Sequence, residues 1–367
     1  MEKTKLRSLA GILAVSAVWG TLSVWNFIKP ADTYSLSERR KLAQKPAFSA
    51  ESILSGDYMT RFDKAAPDQF PLRESFRTLK AVTALYALGK KENNGIYIAD
   101  GYAAKLDYPM NETSIAHAAD RFTWIYEKYL KDSAGSVYFA PVPDKNYFLA
   151  AENGYPSMDY AAFTEAFREK MPYAKHIDLT PALTLDCYYR TDIHWRQEML
   201  TDAAALLAEN MGVTLTAQYE TKTLDTPFYG VYCGQSALPL APDTLCYLEN
   251  DILHGCTVYD YETDTELPVY DLAAAEGNDA YALFLSGSKS LLTITNPHAK
   301  TGRELIVFRD SFASSLAPLL AEGYAKITLI DIRYIAPARL GTWVDFSGKD
   351  VLFLYSTPVL NNSETIQ

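Results

Sequence analysis

The sequence predicts an α/β protein: a mostly parallel sheet covered by helices on both faces, with a hairpin-rich insertion and one apolar helix ahead of it. Three observations carry that expectation. Short apolar runs at Val137–Ala140, Glu304–Phe308, Ile327–Ile330 and Val351–Tyr355 alternate with helical patterns, as strands buried on both faces do. Residues 222–300 change character and are rich in Thr, Tyr, Val and turn residues. Ser8 to Ile28 contains no charged residue.

The 367 residues suffice for two domains or one large α/β unit. Lys plus Arg number 34 and Asp plus Glu 45, a net charge of −11. With no basic stripe to offset it, that charge repels phosphate and argues against a nucleic-acid partner. Tyr is abundant at 26 residues, beside 5 Trp, a composition that suits sugar rings among other partners.

Residues 1–29 read as a signal anchor. Lys3, Lys5 and Arg7 precede the apolar run, whose length matches the roughly 20 residues that span a bilayer. It ends in Trp25-Asn26-Phe27-Ile28-Lys29-Pro30, a poor cleavage context for a signal peptide. Basic residues ahead of the helix keep the N-terminus inside, so the body is expected outside the cell membrane on a single pass. Residues 30–90 form a stalk and helical lead-in, with helices over Ser49–Ala66 and Leu72–Leu88. Residues 91–358 form the α/β domain, with 222–300 as its insertion. It opens on a hairpin, Gly95–Leu106, around Asp100-Gly101. Helices are expected over Thr113–Leu130, Tyr160–Lys170 and Trp195–Asn210, and a strand over His176–Leu179. In the third helix Trp195, Met199, Ala203, Leu207 and Met211 recur every four residues before Gly212. A last helix is expected from Asp310-Ser311 to Glu322. Residues 359–367 are a tail, with Asn361–Gln367 expected disordered.

Cys187, Cys233, Cys246 and Cys256 contain no CxxC pair, which argues against a zinc ribbon or a thioredoxin-like site. Three disulfide pairings and free buried thiols are all compatible with the sequence. No cofactor is expected, and no metal, because Asp192 and His194 have no third ligand at sensible spacing.

Two segments carry residues arranged for nucleophilic catalysis. In Arg309-Asp310-Ser311-Phe312 a strand turns into a helix, which puts a serine hydroxyl at the carboxyl edge of the sheet. The N–H groups there suit a developing oxyanion. In Thr191-Asp192-Ile193-His194-Trp195, residues two apart in an extended segment point the same way, so Asp192 and His194 can reach one site. A carboxylate beside an imidazole fixes its tautomer. Each segment alone also fits a helix cap. Among five histidines, His194 alone has an Asp two residues before it.

The Asp192-x-His194-Trp195 motif followed by strand–Asp310-Ser311-Phe312 resembles the DHHW family, related to the alginate O-acetyltransferases of the AlgX/AlgJ type, which are SGNH-hydrolase-like. Asp68-Gln69-Phe70-Pro71-Leu72-Arg73, Asn93–Gly101, Phe228-Tyr229-Gly230, Pro242-Asp243-Thr244 and Asp331-Ile332-Arg333-Tyr334 also resemble that family in order, so the likeness covers most of residues 47–356. The family motif has His where this chain has Ile193, and SGNH enzymes usually have Gly where it has Arg309. The resemblance implies an SGNH-like (flavodoxin-like) three-layer fold. It implies Ser311 as nucleophile, His194 as base and Asp192 as its orienter, in an O-acetyltransferase acting on a cell-surface polysaccharide in the bacterial envelope. A membrane acyltransferase would supply the acetyl groups. Tyr334 and Tyr355 are candidates for a tyrosine that serves the oxyanion. Arg333, Trp195, Lys145 and Asp310 are candidates for lining the site. An esterase, and a non-catalytic glycan-binding or assembly protein, are the alternatives.

Overall fold

The computed structural model describes residues 2–367. The chain divides into two compact units. The first runs to Asn93 and takes in Gly234–Pro239; the second comprises Asn94–Cys233 and Leu240–Gln367.

The first unit opens on the helix Glu2–Ile28, of which Lys5–Ile28 is long and apolar enough to cross a membrane. Helices follow at Ala50–Leu54, Asp57–Asp68 and Arg73–Val82, the last continued to Ala87 by a wider turn. The single helix expected over 49–66 is split at Gly56, whose φ of +79° stops one helix before the next. An ion cluster ties the unit together. The Arg40 guanidinium meets the Asp68 carboxylate at 2.6 and 2.8 Å. That pairing holds the Asp68 carboxyl down at about 2. Arg73 and Arg77 add contacts to Glu38 and Glu74.

The second unit is built on an eight-stranded sheet. In chain order its strands are β1 (Val137–Val142), β2 (Lys175–His176), β3 (Thr257–Asp260), β4 (Thr265–Leu267), β5 (Leu291–Thr295), β6 (Glu304–Arg309), β7 (Lys326–Ile330) and β8 (Asp350–Ser356). Their spatial order is β4-β3-β5-β7-β6-β8-β1-β2. From β7 to β2 all pairs are parallel, and β3, β4 and β5 extend the sheet antiparallel. The insertion over 222–300 forms antiparallel pairs as expected: three of its strands extend the main sheet, and Cys246–Glu249 pairs with Glu220–Thr223 in a two-stranded sheet of its own. Alternate residues of the central strands point to opposite faces. Ala140, Val307 and Leu352 pack with Trp195, Leu207 and Leu316 on one side. Phe139, Phe308 and Phe353 pack with Phe122, Phe163 and Phe167 of the helices Glu112–Ile125 and Tyr160–Lys170 on the other. The result is the expected three-layer α/β arrangement.

Three local expectations are corrected. The third helix of the body starts at Thr201, six residues after Trp195, because the Arg196 N–H is committed to the Cys187 carbonyl at 2.7 Å. The helix after Ser311 is one α-turn, Ala313–Leu316, followed by 3₁₀ turns to Gly323, with Pro318 near the junction. The C-terminal residues are packed and not disordered: Asn361 accepts the Asn111 N–H at 2.7 Å and Ser363 bonds Ser114 at 2.9 Å. All four cysteines are free thiols.

Candidate active site

At the carboxyl end of β6 the chain turns sharply. The Asp310 carboxylate holds that turn, accepting the Phe312 N–H at 3.0 Å and the N–H and hydroxyl of Ser356, at the end of β8, at 2.8 and 2.7 Å. Asp310 is fully buried, so it is a brace beneath the turn. Ser311 is left at the rim of the sheet. The N–H groups of Ala313 and Ser314 bond back to Asp310 and Ser311 carbonyls. No hydrogen bond from the Ser311 N–H is found among the described residues.

The second segment is a loop closed by a bridge between Tyr188 and Trp195. Asp192 Oδ1 accepts the His194 backbone N–H at 3.1 Å and lies 2.6 Å from His194 Nδ1. A carboxylate only accepts, so Nδ1 carries the proton and Nε2 is left as an acceptor. Nε2 lies 2.7 Å from Ser311 Oγ. Asp192, His194 and Ser311 thus form one hydrogen-bonded series, with His194 and Ser311 117 residues apart in sequence.

Several neighbours fix this geometry. Asp192 Oδ2 accepts the Val231 N–H at 2.8 Å. Asp243 accepts the backbone N–H groups of Arg190 and Thr191, each at 2.8 Å, and the Thr191 hydroxyl. Gly230 is needed where it stands: a Cβ there would come within 2.3 Å of the Thr191 backbone. Tyr281, from the insertion, stacks flat on the His194 ring at 3.8 Å and 6°, with its hydroxyl 2.8 Å from Ser315 Oγ. The sequence carried no signal for Tyr281, Asp243 or Gly230 as site residues beyond the short motifs that contain the last two.

Of the further candidates, Trp195 and Lys145 support the two segments from below. The Trp195 indole N–H lies 2.9 Å from the Phe312 carbonyl and 3.0 Å from Ser315 Oγ, which locks the histidine loop to the serine turn. The Lys145 ammonium is buried and donates to the carbonyls of Ala103, Tyr189 (2.9 Å) and Arg190 (3.4 Å). Burial pushes it down to about 7, against the pull of Asp192 and Asp243. Arg309 is also buried; it donates to Ser314 Oγ at 2.8 Å and to the Lys289 carbonyl at 3.2 Å. Tyr334, Arg333 and Tyr355 stand outside the Asp192–His194–Ser311 series. Tyr334 is exposed beside the Arg333 guanidinium. Arg333 is bound to Asp331 at 2.6 and 2.9 Å. Tyr355 packs against Phe122 at 5.1 Å, on the opposite face of the sheet from Trp195 and Phe312. Among the described residues no cluster of His, Cys, Asp and Glu could hold a metal ion.

Solved structures share this architecture. A DHHW family protein from Eubacterium siraeum aligns with a TM-score of 0.61 and 24% identity, over 75% of this chain and 95% of its own. The fold is common to both. PatB1 from Bacillus cereus aligns with a TM-score of 0.58 and 19% identity, over 72% of this chain and 96% of its own, and is also known with a sulfonyl adduct. No family model and no curated protein matches the chain.

Proposed function

We propose that this chain is an O-acyltransferase of the DHHW type, held at the cell membrane by its N-terminal helix and acting on a cell-surface polysaccharide. The observation that carries the reading is the series Asp192–His194–Ser311, with contacts of 2.6 and 2.7 Å on the two sides of one imidazole. Family membership is part of the proposal. It draws on the ordered motifs from Asp68 to Tyr334 and on the fold held in common with the Eubacterium siraeum protein.

In the proposed reaction Ser311 Oγ attacks the carbonyl carbon of an acyl donor and its proton passes to His194 Nε2. Asp192 stabilises the imidazolium. The Ser311 N–H faces the developing oxyanion. Collapse of the tetrahedral adduct expels the donor's leaving group, which takes the proton from His194, and leaves acyl-Ser311. A sugar hydroxyl then attacks, giving its proton to the same nitrogen, and Ser311 is released with its proton restored. The donor would be delivered by a membrane acyltransferase. If water replaces the sugar hydroxyl, the same steps describe an esterase.

The test is an acyl-enzyme trap. The full chain is treated with a chromogenic acetyl ester and, separately, with a sulfonyl fluoride, and peptides are mapped by mass spectrometry. Acetyl or sulfonyl label on Ser311, lost in Ser311→Ala and reduced in His194→Ala, is the expected result. Label elsewhere, or equal labelling of the three proteins, would sink the reading. Addition of oligosaccharide acceptors then separates transfer from hydrolysis.

A further inference from the structure

The first unit exposes many large apolar side chains while Glu38, Asp68, Arg73 and Arg77 turn inward. On the helix Arg73–Val82, Phe76 and Leu79 share a face by their spacing of three, and the exposed Leu72 and Tyr86 stand before and after it. Leu79 is 60% exposed and Tyr86 79%, whereas the side chains of Arg73 and Arg77 are only 13% and 16% exposed, turned into the ion cluster with Glu38. On the helix Asp57–Asp68, Met59 and Phe62 share an exposed face. Tyr58 joins Phe62 to the exposed Phe48 through ring contacts of 6.1 and 5.9 Å. Water-facing modules rarely expose so much apolar surface.

The face bearing Phe76 is continuous with the membrane-length helix. Phe76 packs on Phe70 at 5.4 Å, and Phe70 on Trp19 at 6.4 Å. Depth follows from helix geometry. If the bilayer ended at Trp19, the apolar stretch Ser8–Trp19 would rise only about 18 Å, against about 30 Å of hydrocarbon. The lipid must reach past Trp19 toward Ile28, and so to the level of Phe70 and Phe76. Charge agrees. Residues 29–93 hold twelve Lys/Arg against eight Asp/Glu, a net +4, whereas residues 94–367 hold nineteen against thirty-six, a net −17.

We propose that the segment 48–88 is an interfacial membrane-binding element that lies on an anionic bilayer, with Phe48, Leu54, Phe62, Leu79 and Tyr86 at the boundary of headgroups and acyl chains. This rests on the reading of the N-terminal helix as an anchor. It adds a second contact with the same membrane, made by a folded apolar face and not by a spanning segment.

Site-specific photocrosslinking tests it. The photoreactive amino acid p-benzoylphenylalanine replaces Trp25, Phe62 or Leu79, one at a time, in the full chain. Each protein is placed in nanodiscs of phosphatidylcholine alone or mixed with phosphatidylglycerol, irradiated, and analysed by mass. Lipid adducts at Phe62 and Leu79 are expected in yields comparable with Trp25, falling severalfold when phosphatidylglycerol is omitted or salt is raised. Lipid adducts at Trp25 with none at Phe62 and Leu79 overturn this proposal and leave the anchor standing. Absence of lipid adducts at Trp25 overturns the anchor, and the proposal with it. A crosslinked dimer through Phe62 or Leu79 overturns the proposal in favour of a self-interface.

Discussion

Nε2 of His194 lies 2.7 Å from Oγ of Ser311, and the geometry of two distant segments is spent on that one contact. Asp192 engages the ring from the other side at 2.6 Å, so the hydroxyl faces the basic nitrogen. Removing either partner should remove most of the chemistry. Ser311→Ala and His194→Ala are each expected to lower kcat by about 10³-fold or more, and the double variant to be little worse than either single one, because the two act as a unit. Asp192→Asn should keep the fold but favour the wrong tautomer, at a cost of about 10²–10⁴-fold. Initial rates on an acetyl ester check this; additive losses in the double variant would contradict it.

Tyr281 covers the opposite surface of that histidine. Its ring lies flat on the imidazole at 3.8 Å, and its hydroxyl bonds Ser315, which also receives the Trp195 indole N–H. The stacking and the hydroxyl are separable. Tyr281→Phe keeps the ring and should change kcat less than about fivefold, with a stability loss of about 1 kcal/mol for the broken hydrogen bond. Tyr281→Ala frees the imidazole to turn and opens a cavity, so kcat should fall much further and stability by about 3–5 kcal/mol. Equal kcat losses in the two variants would show that the ring does not hold His194.

How much of this could be read from the sequence depends on how local each signal is. Asp192 and His194 stand two residues apart, and strand–Asp310-Ser311 is a turn visible in five residues, so the trio was legible as two short segments. The central strands were legible because burial on both faces leaves continuous apolar runs such as Val351–Tyr355. Tyr281 was not, because an aromatic residue in an irregular insertion looks the same whether it covers a histidine or a core. The start of the helix at Thr201 was hidden too. The apolar period runs back to Trp195, but the Arg196 N–H is drawn to the Cys187 carbonyl, a partner that periodicity does not reveal. The last residues read as disordered since Asn, Ser and Glu dominate them; their partners Asn111 and Ser114 lie about 250 positions away. The surroundings of Tyr334 and Tyr355 were not legible either, because they depend on which way each side chain leaves its strand end. One is exposed beside Arg333 and the other points to the face of the sheet opposite Trp195 and Phe312.

Gly230 sets how closely the insertion approaches the Asp192 loop. Its N–H donates to the Thr191 hydroxyl at 3.0 Å, and the next N–H, of Val231, reaches Asp192 Oδ2 at 2.8 Å. A methyl group would sit 2.3 Å from the Thr191 carbonyl carbon, where only backbone movement can relieve it. Gly230→Ala should therefore destabilise the chain by about 1–3 kcal/mol, as overpacking does. It should also lower kcat, since the Val231 contact is lost with the shift. Chemical denaturation and ester turnover read the two effects. An alanine variant with unchanged turnover would mean that Asp192 does not depend on this contact.

Lys145 makes the fold itself depend on pH. Its ammonium is buried against the Ala103, Tyr189 and Arg190 carbonyls, faces the Tyr102 and Tyr232 rings, and feels Asp192, Asp243 and Asp144. Burial dominates and pushes it down from 10.5 to about 7. Between those values the unfolded chain binds this proton and the folded chain does not, so the contribution of Lys145 to stability grows as pH rises from about 7 toward 10 and is lost as pH falls through 7. Lys145→Met removes the titrating group while keeping an unbranched side chain. Urea midpoints measured from pH 6 to pH 9 should show the wild type gaining stability over this variant with each step upward, even if the variant is less stable throughout because three carbonyls lose their donor. A constant difference across that range would mean that Lys145 titrates near its ordinary value and that burial does not govern it.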